Sequence, residues 1–335
     1  MAPLNPSAKK KSNRHRKDTL EQPASKPFFE TLSHKKHRLS VTAVCLASGK
    51  VFSASKDGAV YSWKHGERTF EKMERTGKEH LLCLICSPDG ELLCGGGENG
   101  NVFFWSVETR KIVRTIKAHN APVTGLCFGR EAKKGFLYAA SLDRKITTWC
   151  TRTFAAAETL YGHQAGIATL CCEKENELLS AGLGDKTVRV WKLNEKKNLV
   201  FETKNEPTGF ATAVCALDAD RFVSGTDTGS VLVWDLAHGE PVAHKHKAHG
   251  EKAPIEVLVR VDGSLFASGS TDGVLKIWRA GKDKIECVQK ILIAGVVTSL
   301  SVSGEYIAVG VGCENRLGRW NKTKSRNKVL LLREN

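Results

Sequence analysis

The chain contains 335 residues, enough for one large domain or for two of ordinary size. Hydrophobic residues make up 41% of it, which is ample for a packed core and excludes a wholly disordered chain. The 51 Lys and Arg residues outnumber the 36 Asp and Glu residues, and the resulting net charge of +15 bears on partners and solubility rather than on the fold.

The first 27 residues combine basic side chains with no apolar run. The basic cluster consists of Lys9, Lys10, Lys11, Arg14, Arg16 and Lys17. Such clusters are usually solvated and often act as nuclear import signals. We therefore expect residues 1–27 to be a disordered basic tail that serves import, alone or together with RNA contact, ahead of a folded domain at residues 28–335.

Other features of the sequence indicate a soluble, intracellular protein with no membrane partner. The longest apolar run, residues 291–297, is far shorter than the roughly 20 residues that cross a bilayer. The N-terminus lacks the apolar segment of a secretory signal. The eleven cysteines form an odd set scattered through apolar segments, as expected of reduced thiols.

Seven tryptophans divide the chain after the tail at intervals of 42 to 44 residues. They are Trp63, Trp105, Trp149, Trp191, Trp234, Trp278 and Trp320. An aliphatic residue stands three positions before each, a small residue ten before, and usually Asp or Asn six before. This period is that of a four-stranded propeller blade, and the Asp-Gly or Asn-Gly pairs are typical of hairpin turns. The sequence predicts an all-β ring of seven blades, with Trp320 in the seventh.

These repeats resemble WD repeats over nearly the whole chain. In WD proteins a His, a Ser or Thr, a turn Asp and the Trp form a hydrogen-bonded tetrad within one blade. The resemblance implies two complete tetrads, His37–Ser53–Asp57–Trp63 and His249–Ser268–Asp272–Trp278. In four other blades the position expected to supply the hydroxyl holds a residue without one, namely Gly95, Ala139, Ala181 or Gly310.

The closure of the ring is open at this point. Residues 28–32 precede the first repeat and residues 328–332 follow the last, and both have the composition of an outer strand. Either segment could be the outer strand of blade seven, and we expect only one of them to be. Both alternatives bring the two ends of the chain close together.

Three motifs suggest chemistry that their context does not support. Residues 95–100 match the G-x-G-x-x-G pattern, but we expect a strand and a turn there instead of the helix that a dinucleotide needs. Cys83 and Cys86 have no second cysteine pair. His244, His246 and His249 cluster in sequence, yet the resemblance already gives His249 a structural role. We expect no cofactor and no metal.

Catalytic residues are not indicated either. The sequence contains no G-x-S-x-G nucleophile elbow, and its recurring Ser, His and Asp residues follow the blade spacing, as scaffold residues do. We therefore expect a protein that is not an enzyme. An enzyme would need a carboxylate cluster in the central channel, which a sequence cannot reveal.

The excess positive charge lies at the two ends of the chain. Residues 1–38 contain ten basic and three acidic side chains, and residues 315–335 contain seven and one. The intervening residues have a net charge of only +2. Because ring closure brings the ends together, this distribution favours a polyanion bound on the side of blade seven.

The last repeat departs from the others. Arg319 stands directly before Trp320 where six blades have an uncharged residue, and Gly318 stands where others carry a side chain. Departures of this kind are candidates for function. The alternative is an ion pair between Arg319 and Glu314 that stabilises an irregular blade.

Residues 309–320, VGVGCENRLGRW, resemble the last-blade signature of the WD-repeat proteins specific to the U3 small nucleolar ribonucleoprotein (snoRNP). Weaker similarity extends over residues 34–332. The resemblance implies a nucleolar, non-catalytic subunit that binds the box B/C element of U3 RNA after a small kink-turn-binding protein has docked. It also implies a monomer within that particle, which joins other small-subunit processome proteins in processing precursor ribosomal RNA.

By motif and charge, the candidate RNA contacts lie at the two ends of the ring. They are Arg316, Arg319, Lys322, Lys324, Arg326, Lys328, Lys35, Lys36 and Arg38. A second hypothesis, from a different class, is a WD-repeat scaffold that binds a protein segment within a nuclear complex. Binding to phosphates should weaken steeply with salt, whereas docking of an apolar peptide should not.

Overall fold

The computed structural model describes residues 28–67, 69–129, 135–203, 209–318 and 323–334. In these ranges every regular element is a β-strand, and the strands form seven antiparallel sheets of four. The prediction of an all-β, seven-bladed propeller is confirmed. No helix in the described ranges has the length and hydropathy needed to span a membrane.

Six blades follow one another along the chain after a first strand, β1 (Phe28–His34). Blade 1 contains β2 (Val41–Ala47), β3 (Lys50–Ser55), β4 (Val60–Lys64) and β5 (Glu71–Lys72). Blade 2 contains β6 (Leu81–Cys86), β7 (Leu92–Gly97), β8 (Asn101–Ser106) and β9 (Ile112–Lys117). Blade 3 contains β10 (Val123–Phe128), β11 (Phe136–Ser141), β12 (Lys145–Cys150) and β13 (Ala156–Tyr161).

The second half of the ring continues the pattern. Blade 4 contains β14 (Gly166–Lys174), β15 (Glu177–Leu183), β16 (Thr187–Lys192) and β17 (Lys197–Glu202). Blade 5 contains β18 (Ala211–Ala216), β19 (Arg221–Thr226), β20 (Val231–Asp235) and β21 (Pro241–Lys245). Blade 6 contains β22 (Ile255–Asp262), β23 (Leu265–Ser270), β24 (Val274–Ala280) and β25 (Ile285–Leu292).

Blade 7 joins the two ends of the chain. From the channel outward its strands are β26 (Val296–Ser303), β27 (Tyr306–Gly312), β28 (Lys328–Glu334) and β1. The expectation that only one terminal segment is the outer strand is confirmed, and that strand is β1. The C-terminal segment also belongs to blade 7, as its third strand β28, and pairs with β1 in antiparallel fashion.

The position in blade 7 that the spacing assigns to the seventh tryptophan is held by another residue. In blade 1, Trp63 pairs with the residue two before Ser53. At the equivalent place in blade 7, Leu331 pairs with the residue two before Gly310. Trp320 itself lies outside the described residues, and Gly318 lies in a turn region instead of a strand. The repeat register assigned to residues 317–320 was wrong.

The cause is an insertion between the second and third strands of blade 7. In blade 1 this connection is the four residues 56–59, whereas in blade 7 it is residues 313–327, which we call the blade-seven insertion. Residues 313–318 and 323–327 of it are described. Like the other connections between second and third strands, it lies on the face where each outer strand leads to the next inner strand. We call this face the top face.

The G-x-G-x-x-G segment is a strand followed by a turn, as expected from its context. Gly95 and Gly96 lie in β7, and Gly100 lies in the turn before β8 with a φ of +84°, which favours glycine. A Cβ on Gly96 would lie 2.6 Å from Cγ1 of Val123 in blade 3. These glycines thus allow a tight turn and a close approach of two blades.

Candidate nucleic-acid interface

A polar network of blade 6 fixes one connection of the top face. His249 Nδ1 lies 2.9 Å from Oδ2 of Asp272, and His249 Nε2 lies 2.6 Å from Oγ of Ser268. Trp278 donates from Nε1 to the same hydroxyl at 2.7 Å. The structure therefore brings together the four residues that the sequence analysis assigned to this tetrad.

The corresponding residues of blade 1 form a different network. His37 Nε2 lies 2.8 Å from Oγ of Ser53, but His37 Nδ1 is 3.8 Å from Oδ1 of Asp57. Within the described ranges Trp63 Nε1 has no hydrogen-bond partner. Asp57 instead accepts a hydrogen bond at 2.8 Å from the backbone N–H of Arg38. Asp57 thereby holds the link between β1 and β2, which carries basic side chains.

Blade 4 contains a complete network that the sequence analysis missed. Ser180 Oγ lies 2.7 Å from Nε2 of His163 and accepts a hydrogen bond at 2.9 Å from Nε1 of Trp191. His163 Nδ1 in turn lies 2.7 Å from Asp185. The hydroxyl stands eleven residues before the tryptophan, one position away from Ala181, so a search at the fixed spacing of ten overlooks it.

In blade 3 the missing hydroxyl comes from a neighbouring strand. Thr147 Oγ1 lies 2.9 Å from Nε2 of His119 and accepts a hydrogen bond at 2.9 Å from Nε1 of Trp149. Thr147 stands two residues before the tryptophan, whereas the expected position holds Ala139. A Thr at that spacing is the signal that could have identified this network.

The blade-seven insertion is anchored to blade 1 by a buried lysine. Lys56 Nζ lies 3.1 Å from Oε1 of Glu314, and it donates to the carbonyl oxygens of Asn315 at 2.8 Å and Gly318 at 3.1 Å. The side chain of Lys56 is 5% exposed. Glu314 is therefore paired with Lys56, and Arg319, which the sequence analysis considered as its alternative partner, lies outside the described residues.

Arg316 extends from the insertion into the top of the central channel. Its Nη1 donates to the carbonyl oxygen of Thr124 at 2.5 Å and more weakly to that of Leu82 at 3.5 Å, and its Nη2 donates to that of Ala168 at 2.9 Å. These carbonyls belong to the inner strands of blades 3, 2 and 4. Arg316 is only 8% exposed.

This position changes the interpretation of Arg316. Motif and charge predict Arg316 among the RNA contacts of blade seven, and that role requires an accessible guanidinium. Its guanidinium is buried and donates to three backbone carbonyls, so a phosphate would have to displace those bonds. We therefore reassign Arg316 as the residue that joins the insertion to three other blades.

A third anchor joins the insertion to blade 6. Asn315 donates from Nδ2 to Oε1 of Glu256 at 2.7 Å. Burial raises the pKa of Glu256, while the nearby charge of Arg316 and the hydrogen bond from Asn315 oppose that shift. The described part of the insertion thus contacts blades 1, 2, 3, 4 and 6, which fixes its course over the channel mouth.

The two basic segments of the chain meet on the top face of blade 7. Strand β1 pairs with β28, and His34 lies opposite Val329. Lys35 comes directly after His34, and Lys328 comes directly before Val329. Both lysines therefore lie at the end where the pairing of the two strands stops. Asn327 also donates to the carbonyl oxygen of Arg38 at 3.3 Å, which ties the β1–β2 link to the end of the insertion.

Most of the basic side chains here are exposed, and we call them together the blade-seven basic surface. The surface consists of Lys35, Lys36, Arg38, Lys324, Arg326 and the half-buried Lys328. In the described ranges none of these six forms an ion pair with a carboxylate. Lys36 lies 6.0 Å from the ring centroid of Phe70. The arrangement offers uncompensated positive charge to an anionic ligand.

Some predicted residues fall outside the described ranges. Arg319 and Lys322 belong to the insertion between Gly318 and Thr323. The import cluster also lies outside, and its residues are Lys9, Lys10, Lys11, Arg14, Arg16 and Lys17. The described residues contain no cluster of three or more His, Cys, Asp or Glu side chains that could hold a metal ion.

Comparison with known families identifies the repeat. A family model described as "WD domain, G-beta repeat" matches residues 71–106, 110–150, 155–192 and 242–279. The seven sheets, the His–Asp networks and this match define a WD-repeat β-propeller.

Individual relatives narrow the family further. Human U3 small nucleolar RNA-interacting protein 2 is 30% identical over 325 residues, which cover 88% of this chain and 67% of the human protein. Ribosomal RNA-processing protein 9 of Saccharomyces cerevisiae is 25% identical over 360 residues, covering 84% and 62% of the two chains. A solved structure of U3-55K matches with a TM-score of 0.84 and 30% identity, and the match covers 90% of this chain and 98% of that one. The chain belongs to the family of U3 small nucleolar RNA-interacting WD-repeat proteins.

Proposed function

We propose that this protein is a non-catalytic RNA-binding subunit of the U3 snoRNP, which acts in precursor ribosomal RNA processing within the small-subunit processome. The names of its relatives support the particle and the process. The blade-seven basic surface supports direct contact with RNA, because each phosphate that a Lys or Arg neutralises releases counterions and strengthens binding.

The single observation that carries the proposal is the meeting of the two basic segments through β1 and β28. We propose that Lys35, Lys36, Arg38, Lys324, Arg326 and Lys328 contact the RNA backbone, joined by Arg319 and Lys322 of the same insertion. The ligand is the box B/C element of U3 RNA, bound beside a small kink-turn-binding protein, and the protein is one copy in that particle. Arg316 supports this surface from the channel.

The domain organisation belongs to the same proposal. Residues 28–335 form the RNA-binding propeller, and residues 1–27 supply nuclear and nucleolar import. A fluorescent fusion of the full chain should accumulate in nucleoli, whereas a fusion in which Lys9, Lys10, Lys11, Arg14, Arg16 and Lys17 are replaced by Gln should not. Unchanged nucleolar accumulation of the replaced form would remove the import assignment.

The RNA-binding proposal is tested by titrating the full chain into U3 box B/C RNA and a scrambled RNA at two salt concentrations, with and without the kink-turn protein. The test variant replaces Lys35, Lys36, Arg38, Lys324 and Arg326 by Gln. The control variant removes the same charge from exposed positions on other blades, by replacing Lys111, Arg114, Lys196, Lys282 and Lys290.

We expect the test variant to bind weakly and with a flatter salt dependence, by about one unit of slope for each phosphate that is no longer neutralised. The control variant should lose much less affinity. Equal losses in both variants would show that only net charge matters. Binding that depends little on salt and not on the RNA sequence would favour the scaffold hypothesis.

A further inference from the structure

A cavity of the top face lies beside the blade-seven insertion, over blades 4, 5 and 6. Its volume is about 580 Å³, within the range of small-molecule binding sites. One wall is the insertion itself at Asn315–Leu317, and the opposite wall includes Phe210 and Pro254 in the links that lead to blades 5 and 6. The cavity is separate from the blade-seven basic surface, but the insertion connects the two.

The lining combines apolar walls with charges that cancel. Leu183, Phe210, Pro254 and Leu317 supply apolar surface. The charged lining residues are two carboxylates and two cations, namely Asp227, Glu256, Lys252 and Arg316. Because these charges cancel, a ligand that carries a net charge gains little electrostatic binding energy from them. It suits a neutral ligand with apolar faces and a polar edge.

Asp227 is an acceptor of the cavity that could bind N–H donors of such a ligand, and the wall beside it contains the buried amide of Asn315. Asn315 is 2% exposed, and its Oδ1 has no hydrogen-bond partner among the described residues, although its Nδ2 donates to Glu256. Asp227 lines the cavity and accepts a hydrogen bond from the backbone N–H of Phe210 at 2.9 Å, and a carboxylate can accept several such bonds. An unsatisfied buried acceptor such as Oδ1 of Asn315 calls for an explanation.

We propose that this cavity receives one unpaired nucleobase of the bound RNA, with guanine preferred, and this inference rests on the proposed RNA-binding function. A nucleobase is neutral, has apolar faces that pack on Phe210 and Leu317, and has a polar edge. Guanine donates from N1 and N2 on one edge, which matches a carboxylate such as Asp227. Recognition of RNA sequence commonly uses unpaired bases that are stacked on side chains and bound at their edges.

The described residues of the insertion favour a nucleobase over a protein side chain. They include both Leu317 in the cavity wall and Lys324 and Arg326 of the basic surface. The insertion therefore offers cations to the phosphates that flank a base held in the cavity. An Arg or Lys side chain of a partner protein would have to enter beside Lys252 and Arg316.

The test combines RNA and protein changes in one cycle. Each unpaired base of U3 box B/C RNA is replaced in turn by an abasic site, and affinities are measured with the wild-type protein and with Asp227→Asn. Asp220→Asn, which removes the same charge at an exposed position of blade 5, is the matched control. Thermal melting of each protein establishes that the variants are folded.

We expect one abasic position to lower wild-type affinity about ten- to hundredfold, the usual range for a stacked base. In Asp227→Asn the same abasic site should lower affinity much less, while the salt dependence stays unchanged. In Asp220→Asn it should act as in wild type. A guanine at that position should bind best in both wild type and control.

The outcomes separate the two proposals. If the protein binds U3 RNA through the basic surface but no abasic site couples to Asp227, the nucleobase inference is overturned and the proposed function stands. If Asp227→Asn instead weakens binding of an arginine-containing peptide and leaves RNA affinity unchanged, the cavity is a protein-docking site and the inference is again overturned. If the basic surface has no effect on RNA affinity, the proposed function itself fails.

Discussion

Blades 6 and 7 have the same four-stranded sheet but use their polar side chains differently. In blade 6, His249, Ser268 and Trp278 bond to one another, so the network lies inside the blade. In blade 7 the equivalent hydroxyl position holds Gly310 and the tryptophan position holds Leu331. A tetrad cannot form there from the described residues.

Blade 7 compensates with apolar packing and with bonds to other blades. Residues 329–332 of β28 are all buried, because two of their side chains pack in the core shared with blade 6 and two in the core shared with blade 1. The polar residues of the insertion bond to Lys56 in blade 1 and Glu256 in blade 6. The comparison teaches that a repeating blade is stabilised internally, whereas the blade that joins the chain ends is stabilised by its neighbours. This leaves its outer connections free to carry exposed cations.

The largest effect should come from removing the centre of the blade 6 network. Trp278 is 1% exposed and packs in the core, so Trp278→Ala should lower the free energy of unfolding by roughly 3–5 kcal/mol. Urea denaturation measures this change. Trp278→Phe keeps most of the buried ring and loses the Nε1 bond to Ser268, and it should cost about 1 kcal/mol. If Trp278→Ala lowered the free energy of unfolding by less than the loss expected for Trp278→Phe, the description of Trp278 as a buried centre of this blade would be contradicted.

A matched pair in the insertion tests the role of blade 7. Arg316→Met leaves three channel carbonyls without their donor and removes one of the cations near Glu256, and should cost about 3 kcal/mol of stability. Arg326→Gln changes an exposed cation of the same insertion and should alter stability by less than about 0.5 kcal/mol. Urea denaturation of both variants gives the comparison.

The effects of substitutions in the insertion on RNA affinity should differ from their effects on stability. Arg326→Gln should lower affinity and flatten the salt slope in a fully folded protein. Adding Glu256→Gln to Arg316→Met should restore part of the missing stability, because it removes a buried carboxylate that has lost part of its compensating charge. Full stability of Arg316→Met would show that the channel bonds contribute nothing and would return Arg316 to the candidate RNA contacts.

The contrast between these blades also marks what the sequence could reveal. Regular spacing predicts the blade number, the strands and the hairpin turns, since each blade repeats the same local contacts. The insertion defeats this reasoning because Trp320 follows Trp278 by 42 residues, a normal interval, although the third strand of blade 7 begins only at Lys328. A spacing cannot distinguish a repeat from an insertion of suitable length.

The burial of Arg316 is beyond sequence for a different reason. Its partners are backbone carbonyls of Leu82, Thr124 and Ala168, on inner-strand edges that no further strand covers. Backbone acceptors leave no trace in residue identity. The exposed cations are different, because charge at the chain ends and ring closure together predict where the basic surface forms.

A moderate change in stability should come from pH, through β1. We call β1 the closing strand, because it is the outer strand of the blade that joins the two chain ends. His34 of β1 is 2% exposed and its ring centroid lies 3.8 Å from that of Phe70. Burial, followed by the charges of His37 and Lys36, lowers the pKa of His34 to about 4. Tyr61 also faces the ring, at 5.9 Å between centroids. Between pH 6.5 and 4 the unfolded chain therefore binds a proton at this position that the folded chain does not.

Stability should consequently fall as the pH is lowered through that window, by about 2 kcal/mol from His34 alone. Urea midpoints at several pH values, compared between wild type and His34→Gln, isolate this contribution from that of the carboxylates. The variant should show a shallower loss toward pH 4. Parallel pH profiles of the two proteins would show that His34 titrates normally and that the closing strand is more open than its burial indicates.

The smallest effect distinguishes the complete tetrad of blade 6 from the incomplete network of blade 1. Ser268→Ala removes the hydroxyl that bonds both His249 and Trp278, leaving two buried nitrogens without partners. Ser53→Ala removes only the contact to His37, because Trp63 does not bond to Ser53. We expect losses of about 1–2 kcal/mol for the first variant and of about half that for the second, measured by urea denaturation.

The order of these two losses matters more than their size. Both serines are fully buried on second strands, so their backbone and packing environments match. A larger loss for Ser268→Ala would then arise from the Trp278 bond, which blade 1 lacks. Equal losses would mean that the indole bond adds nothing once the histidine is held. Blade 1 would then be as rigid as blade 6, and its link could present Arg38 as firmly as a complete tetrad would.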